Sequence, residues 1–352
     1  MALVIPGTPA SRRTARGWAP PVLILILVLG ALASVTVGRY ELTILQVVRI
    51  LWDNILPVAN PDWSAPEESV VELIRLPRIL AAMIVGAGLA AAGAALQGLF
   101  RNPLVDPNII GVTTGAGFGG TLAILIGFSG AGLLGFAFAF GLGSVVIVKS
   151  LASIRGRTSI LALVLAGVIV SAFFAAAISV AKLLADPFQK LPAITYWLMG
   201  SLASTSFADV ALMAVAIVPA SIVVYGLRHQ INVLSLGEEK ARALGAPVAL
   251  LQWTILVATA VISAGVVACC GVIGWVGLVV PHVARAVSGP DHGRLLPVAM
   301  IMGAIYMLLV DTLARTLTTA EIPVGIITAL IGVPVFALLM RRMHTKGGWK
   351  ND

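Results

Sequence analysis

Charged residues beside long apolar runs are few in this chain, and their spacing sets the first chemical question. The stretch Glu72 to Met83, ELIRLPRILAAM, puts Arg75 and Arg78 at the mouth of an apolar run beginning at Ile79. Three residues apart, they share a helix face. Pro77 suits a first helical turn, where its missing N–H has no intrahelical partner. On that reading both arginines sit at a helix N-terminus, where the macrodipole disfavours cations. A guanidinium holds a carboxylate through two parallel hydrogen bonds, which suits an acidic partner; the bland alternative is snorkelling to the membrane surface. Asp311 and Arg315 are spaced i,i+4 with the acid first, the order that favours an intrahelical ion pair. Asp311 is expected to hold Arg315 toward the same outer face.

The other reactive side chains point to no covalent chemistry. Cys269 and Cys270 are the only cysteines and adjoin each other in an apolar run, which excludes a disulfide framework and reads as small apolar filler. His282 lies near a helix end and reads as a hydrogen-bonding residue, while His229, His292 and His344 are loop residues without metal-ligand spacing. No nucleophile–base constellation is present, so the chain reads as no enzyme and as needing no cofactor of its own.

The elements that must position these residues are membrane spans. Of 352 residues, 59% are hydrophobic and 11% charged, against about 25% charged in a soluble domain. Ten segments can cross a bilayer: 21–38, 77–99, 109–128, 131–150, 159–182, 206–227, 247–269, 271–287, 295–314 and 322–340. The expected architecture is an all-α membrane protein with a single domain over 21–342 and tails at 1–20 and 343–352. Arg12, Arg13 and Arg16 before the first span could belong to a signal peptide, but no convincing cleavage site follows, so the span is read as retained. With both termini inside, 16 of the 23 Lys and Arg residues fall on the cytoplasmic side and seven outside, Arg75, Arg78 and Arg315 among the seven. That asymmetry explains the net charge of +8 without nucleic acid.

The span middles carry no Asp, Glu, Lys or Arg. Ion-coupled pumps keep such groups at midplane, so the driving energy is expected from elsewhere; an ion-coupled secondary transporter is the runner-up. Gly86, Ala90, Ala94 and Gly98 recur every four residues, a ridge for helix–helix contact. The segment from Asn232 to Val248, NVLSLGEEKARALGAPV, has helix formers between Gly237 and Gly245, with Gly245 expected to end a short helix in the left-handed conformation. It is a candidate partner-binding helix, or simply a solvated one. No G-x-x-x-x-G-K-[ST] occurs, so the chain cannot cradle ATP phosphates itself.

Longer motifs then converge. RLPRILAAMIVGAGLAAAGAALQGLFRNPLVDPNIIGVTTGAGFG, YWLMGSL at 196–202, GVIGWVGLVVPHVAR at 271–285 and the run from Asp311 to Arg342 resemble the permeases that import vitamin B12, ferric siderophores and haem. The resemblance covers nearly the whole chain after about residue 20. It implies a type II ABC importer permease fold in the bacterial inner membrane. A homodimer would line the path with its fifth and tenth spans. Two ATPase subunits holding ATP and Mg would bind inside, and a periplasmic binding protein would deliver substrate outside. It assigns binding-protein docking to Arg75, Arg78 and Arg315. Coupling falls to the loop at 232–247 with Gly237, Glu238, Glu239, Arg242 and Gly245, and the cytoplasmic gate to Thr158 and Ser159. Within the family the expected substrate is an iron chelate, haem or ferric siderophore, with cobalamin or an oxyanion as the alternative.

Overall fold

The computed structural model describes residues 19–53, 63–154, 157–158 and 160–345. Fourteen helices account for most of them. They are α1 (Ala19–Thr36), α2 (Ile44–Asp53), α3 (Ala65–Phe100), α4 (Val112–Ile126), α5 (Ala131–Ala152), α6 (Ile160–Leu184) and α7 (Lys190–Leu198). Then follow α8 (Phe207–Gly226), α9 (Arg228–Ser235), α10 (Glu238–Ala243), α11 (Val248–Cys270), α12 (Val276–Ser288), α13 (His292–Thr316) and α14 (Val324–Thr345). Seven of them are long and apolar enough to span a bilayer, and the shorter apolar helices α1, α4 and α12 bring the number to the ten expected. The chain is therefore a multi-pass integral membrane protein.

α3 is the axis of the bundle. It packs on α13, α8, α11 and α12, while α4 pairs with α5 and α6 in a second group joined to the first through α11. The small-residue ridge explains the closest crossing: a Cβ on Gly86 would collide with the Gly303 carbonyl, and a Cβ on Gly303 with the Gly86 carbonyl. Without side chains there, the α3 and α13 backbones touch, as membrane packing demands where no hydrophobic force separates helix from lipid.

The start of α3 corrects the reading of Pro77. The helix begins at Ala65 behind Ser64, whose N–H and hydroxyl both reach the Glu67 carboxylate, at 2.6 and 2.9 Å. Residues Val70–Arg75 then form a π turn, and the Leu76 N–H reaches back to the Val71 carbonyl. A proline inside an α-helix clashes with the carbonyl four residues back; the wider turn just before Pro77 relieves that crowding. Arg75 and Arg78 therefore lie within a helix, more than two turns past its N-terminus, and no dipole penalty applies to them.

Candidate functional site

Two ends of the bundle carry the charged constellations: the Arg78 end and the α10 end. At the Arg78 end, helices α3 and α13 bring four charged side chains together beside the end of α1, three arginines and an aspartate, all with almost no exposure. Arg75, Arg78 and Arg315 are 4%, 4% and 7% exposed, and Asp311 is fully buried. Arg78 Nε lies 2.5 Å from Asp311 Oδ1, and its Nη1 lies 2.8 Å from Glu321 Oε2. Arg315 Nε is 3.5 Å from Asp311 Oδ2, an ion pair too poorly aligned for a hydrogen bond.

Arg75 and Arg315 do something the spacing did not show. Arg75 donates from Nη1 to the carbonyls of Val35 and Thr36, at 2.5 and 3.1 Å, and from Nη2 to that of Tyr40 at 2.6 Å. Arg315 donates from Nη1 to Val37 O at 2.8 Å, and from Nη2 to the carbonyl and the hydroxyl of Ser34. The last carbonyls of a helix have no intrahelical donor and carry the negative end of its dipole. The two guanidinium groups thus cap the C-terminal end of α1, which answers why cations stand here. The expected intrahelical pair of Asp311 and Arg315 is present but is not what orients Arg315; the Ser34 and Val37 carbonyls do that. Asp311 serves Arg78 first. The three arginines expected to meet a docking partner are buried here, and the charged group of this cluster open to solvent is the acid Glu321, 31% exposed.

At the α10 end, α9 and α10 form a two-helix elbow between α8 and α11. Gly237 has φ +109 and Gly245 has φ +79, so Gly245 closes the short helix in the left-handed region as its position required. Nothing lies within 4 Å of a Cβ at Gly245. Glu238 pairs with Arg242 at 3.1 Å and accepts from Gln252 Nε2 at 3.0 Å, which ties α10 to α11. Glu239, Lys240, Arg242, Leu236 and Leu244 point outward, and the two leucines are 54% and 66% exposed. This face mixes charge with bare apolar side chains, a surface suited to a protein groove.

The elbow is fastened to α13 by side chains whose pairing the sequence did not show. Asn232 Nδ2 donates to Asp291 Oδ2 at 2.8 Å, and Asn232 Oδ1 receives the His292 backbone N–H at 2.9 Å with His292 Nδ1 at 2.7 Å. His292 is 3% exposed at the first turn of α13, not a free loop residue. The one available signal was Asp291 as an N-cap before an apolar run, and its side chain does accept from the Gly293 N–H at 3.0 Å.

The gate assignment falls at a two-residue hairpin, β1 (Ser153–Ile154) against β2 (Arg157–Thr158), paired Ser153 to Thr158 and Ile154 to Arg157. Ser159 lies outside the described residues. Among the described residues no group of three His, Cys, Asp or Glu side chains could hold a metal.

Residues 25–342 match the model of the FecCD transport family. The molybdate import system permease protein MolB of Haemophilus influenzae is 43% identical over 325 residues, 92% of this chain and 96% of that protein. A Helicobacter pylori protein named as a probable iron chelatin transport system permease is 40% identical over 283 residues, 80% of this chain and 85% of its own. A solved inward-facing structure assigned to a metal-chelate type ABC transporter superposes with a TM-score of 0.81 at 42% identity, covering 93% of this chain and 99% of that one. Permeases of this kind work with ATPase and binding-protein partners and are not themselves enzymes, which removes the ion-coupled transporter reading. A helical bundle of the expected ten spans, matched along nearly its full length, belongs to the FecCD transport family and is the permease subunit of an ABC importer.

Proposed function

We propose that this permease carries an oxyanion of the molybdate class across the bacterial inner membrane. The observation that carries the substrate is the likeness to a molybdate permease over nearly the whole of both chains. This replaces the iron chelate expected from the motifs alone. Haem or ferric siderophore stands as the second reading, supported by the Helicobacter pylori relative. Cobalamin ranks behind both.

Two copies would enclose the path. α6 and α14 carry bare apolar side chains, Leu161 at 68%, Phe173 at 66% and Leu330 at 70% exposed, which a second copy would cover. Both termini and the α10 end would face the cytoplasm, in line with the excess of Lys and Arg on that side. ATP and Mg would be held by two partner ATPase subunits, and closure of those subunits would move the elbow built on Gly237, Glu238, Glu239, Arg242 and Gly245. Rigid spans anchored to it would then tip between inward-open and outward-open states. Thr158 and Ser159 would form the cytoplasmic gate.

A periplasmic binding protein would dock at the Arg78 end. Its carboxylates would compete with Glu321 for Arg78, and Arg75 and Arg315 would supply the surrounding positive field while holding α1. Charge complementarity of this kind sets encounter rate and makes it fall with salt. The test of substrate is calorimetry on the cognate binding protein with molybdate, ferric siderophore, haem and cobalamin, followed by uptake into proteoliposomes holding the assembled importer. Binding and uptake of molybdate alone is expected; uptake of haem or ferric siderophore alone would overturn the oxyanion and leave the permease assignment standing.

A further inference from the structure

An apolar groove of about 570 Å³ opens between α1, α3, α8 and α13, with no residue of α6 or α14 in its lining. Its walls include Leu27, Ala87, Gly88, Ser221, Met300 and Tyr225. Ser221 and Tyr225 supply the oxygen-bearing side chains of the lining; the rest is hydrocarbon or thioether. Its volume falls in the range of sites that take elongated apolar ligands. It runs from mid-span, at Gly88 and Leu27, to the α10 end, at Tyr225 and Pro297.

The rim at that end is cationic. Arg228 packs its guanidinium 4.6 Å from the centroid of the Tyr225 ring and donates from Nη1 to the Tyr225 carbonyl at 3.1 Å. The Arg228 Cδ would stand 3.9 Å from a Cβ on Gly293, so the side chain reaches across to the start of α13, where Arg294 is exposed. The acid on this rim, Asp291, has both oxygens engaged, by the Gly293 N–H and by Asn232. Arg228 therefore stands against a lining tyrosine at the end of the slot, and exposed Arg294 lies one helical turn before the lining residue Pro297. A lone snorkelling arginine needs no slot, and a packing defect needs no charged rim; together they fit a ligand with an anionic head and a hydrocarbon tail.

We propose that this groove is a binding site for one anionic phospholipid, with an acyl chain lying along Leu27 and Gly88 and the phosphate held by Arg228 and Arg294. The occupant would belong to the leaflet on the α10 side. A bound chain there touches both α3 and α13, the tightest helix pair, and so adds contacts to the region that fastens the elbow.

The proposal can be tested by native mass spectrometry of the full importer complex released from detergent. Phosphatidylglycerol and phosphatidylcholine with identical acyl chains are added in turn, so the readout needs neither a substrate nor an orientation. Phosphatidylglycerol is expected to be retained preferentially, with a roughly fivefold loss of preference for each of Arg228→Ala and Arg294→Ala. Ala87→Phe, which fills the slot, should abolish retention of both lipids. Equal retention of the two lipids by the unaltered complex would overturn the proposal, as would a preference unchanged in the double arginine variant. So would an Ala87→Phe variant that changes the number of permease copies per complex and leaves lipid retention intact, because a second copy would then occupy the groove. Should Ala87→Phe fail to assemble, the arginine variants decide alone.

Discussion

Arg78 Nε stands 2.5 Å from Asp311 Oδ1, joining α3 to α13 through two side chains with 4% and 0% exposure. Removing one member of a buried pair strands the other charge, which is costlier than the pair is favourable. Asp311→Ala leaves Arg78 and Arg315 facing each other without their shared acid and should destabilise the permease by about 3–5 kcal/mol. Glu321→Gln removes a partner that solvent already screens and should cost about 1 kcal/mol or less. Thermal unfolding of the purified complex separates the two. Equal losses would mean that Asp311 and Glu321 share Arg78 evenly.

Gly86 and Gly303 face each other across the closest helix crossing. Gly86→Val pushes a branched side chain into backbone and should destabilise by about 1–3 kcal/mol, more if the helices separate. Gly135, inside α5 with nothing within 4 Å of a Cβ, provides the contrast. Gly135→Ala should be neutral or stabilising by about 0.5–1 kcal/mol, because it only restricts the unfolded chain. Detergent-solubilised thermal midpoints read both.

The contrast between these pairs shows what the sequence could and could not reveal. Span number and the Gly86 ridge depend on run length and four-residue spacing, which are local, and both appear in the structure. The left-handed Gly245 was legible for the same reason. The start of α3 was not, because a proline usually marks a first turn and the π turn at Val70–Arg75 that tolerates it here has no simple pattern. Nor were the partners of the arginines. Arg315 reaches Ser34 and Arg78 reaches Glu321 across 281 and 243 residues, so only packing of the helices brings them together. The gate and docking roles rest on resemblance, and no spacing rule would have found them.

Asp106 caps the short turn between α3 and α4 and offers a pH test. Its carboxyl is pushed above the usual range by burial, against the hydrogen bonds it accepts from the Asn108 N–H at 3.0 Å and the Asn108 amide at 2.6 Å. A raised value means the folded state holds the proton more tightly than the unfolded chain. Stability should therefore fall as pH rises from the ordinary carboxylate value through the raised one, then level off. Asp106→Asn keeps a capping oxygen and cannot ionise, so it should flatten that slope. Thermal midpoints from about pH 4 to about pH 7 check it; identical slopes in both proteins would assign the pH dependence to another group.

Gly245 separates backbone conformation from side-chain contact in the elbow. Its φ of +79 is open to glycine, tolerable for asparagine and strained for a β-branched residue. A Cβ there meets nothing within 4 Å, so any effect of substitution comes from the backbone or from a partner pressed against it. Gly245→Val should cost about 1–3 kcal/mol locally and either unwind the end of α10 or shift it. The ten spans, packed elsewhere, should still insert. If the elbow carries motion from the ATPase subunits, the Val variant should lose most binding-protein-stimulated uptake in proteoliposomes while ATPase subunits remain attached more weakly. Gly245→Asn, which adopts the same φ, should retain most of it. Loss in both variants would point to a partner surface that excludes any side chain at this position. Full uptake by the Val variant would show that the conformation of this turn is not used in coupling.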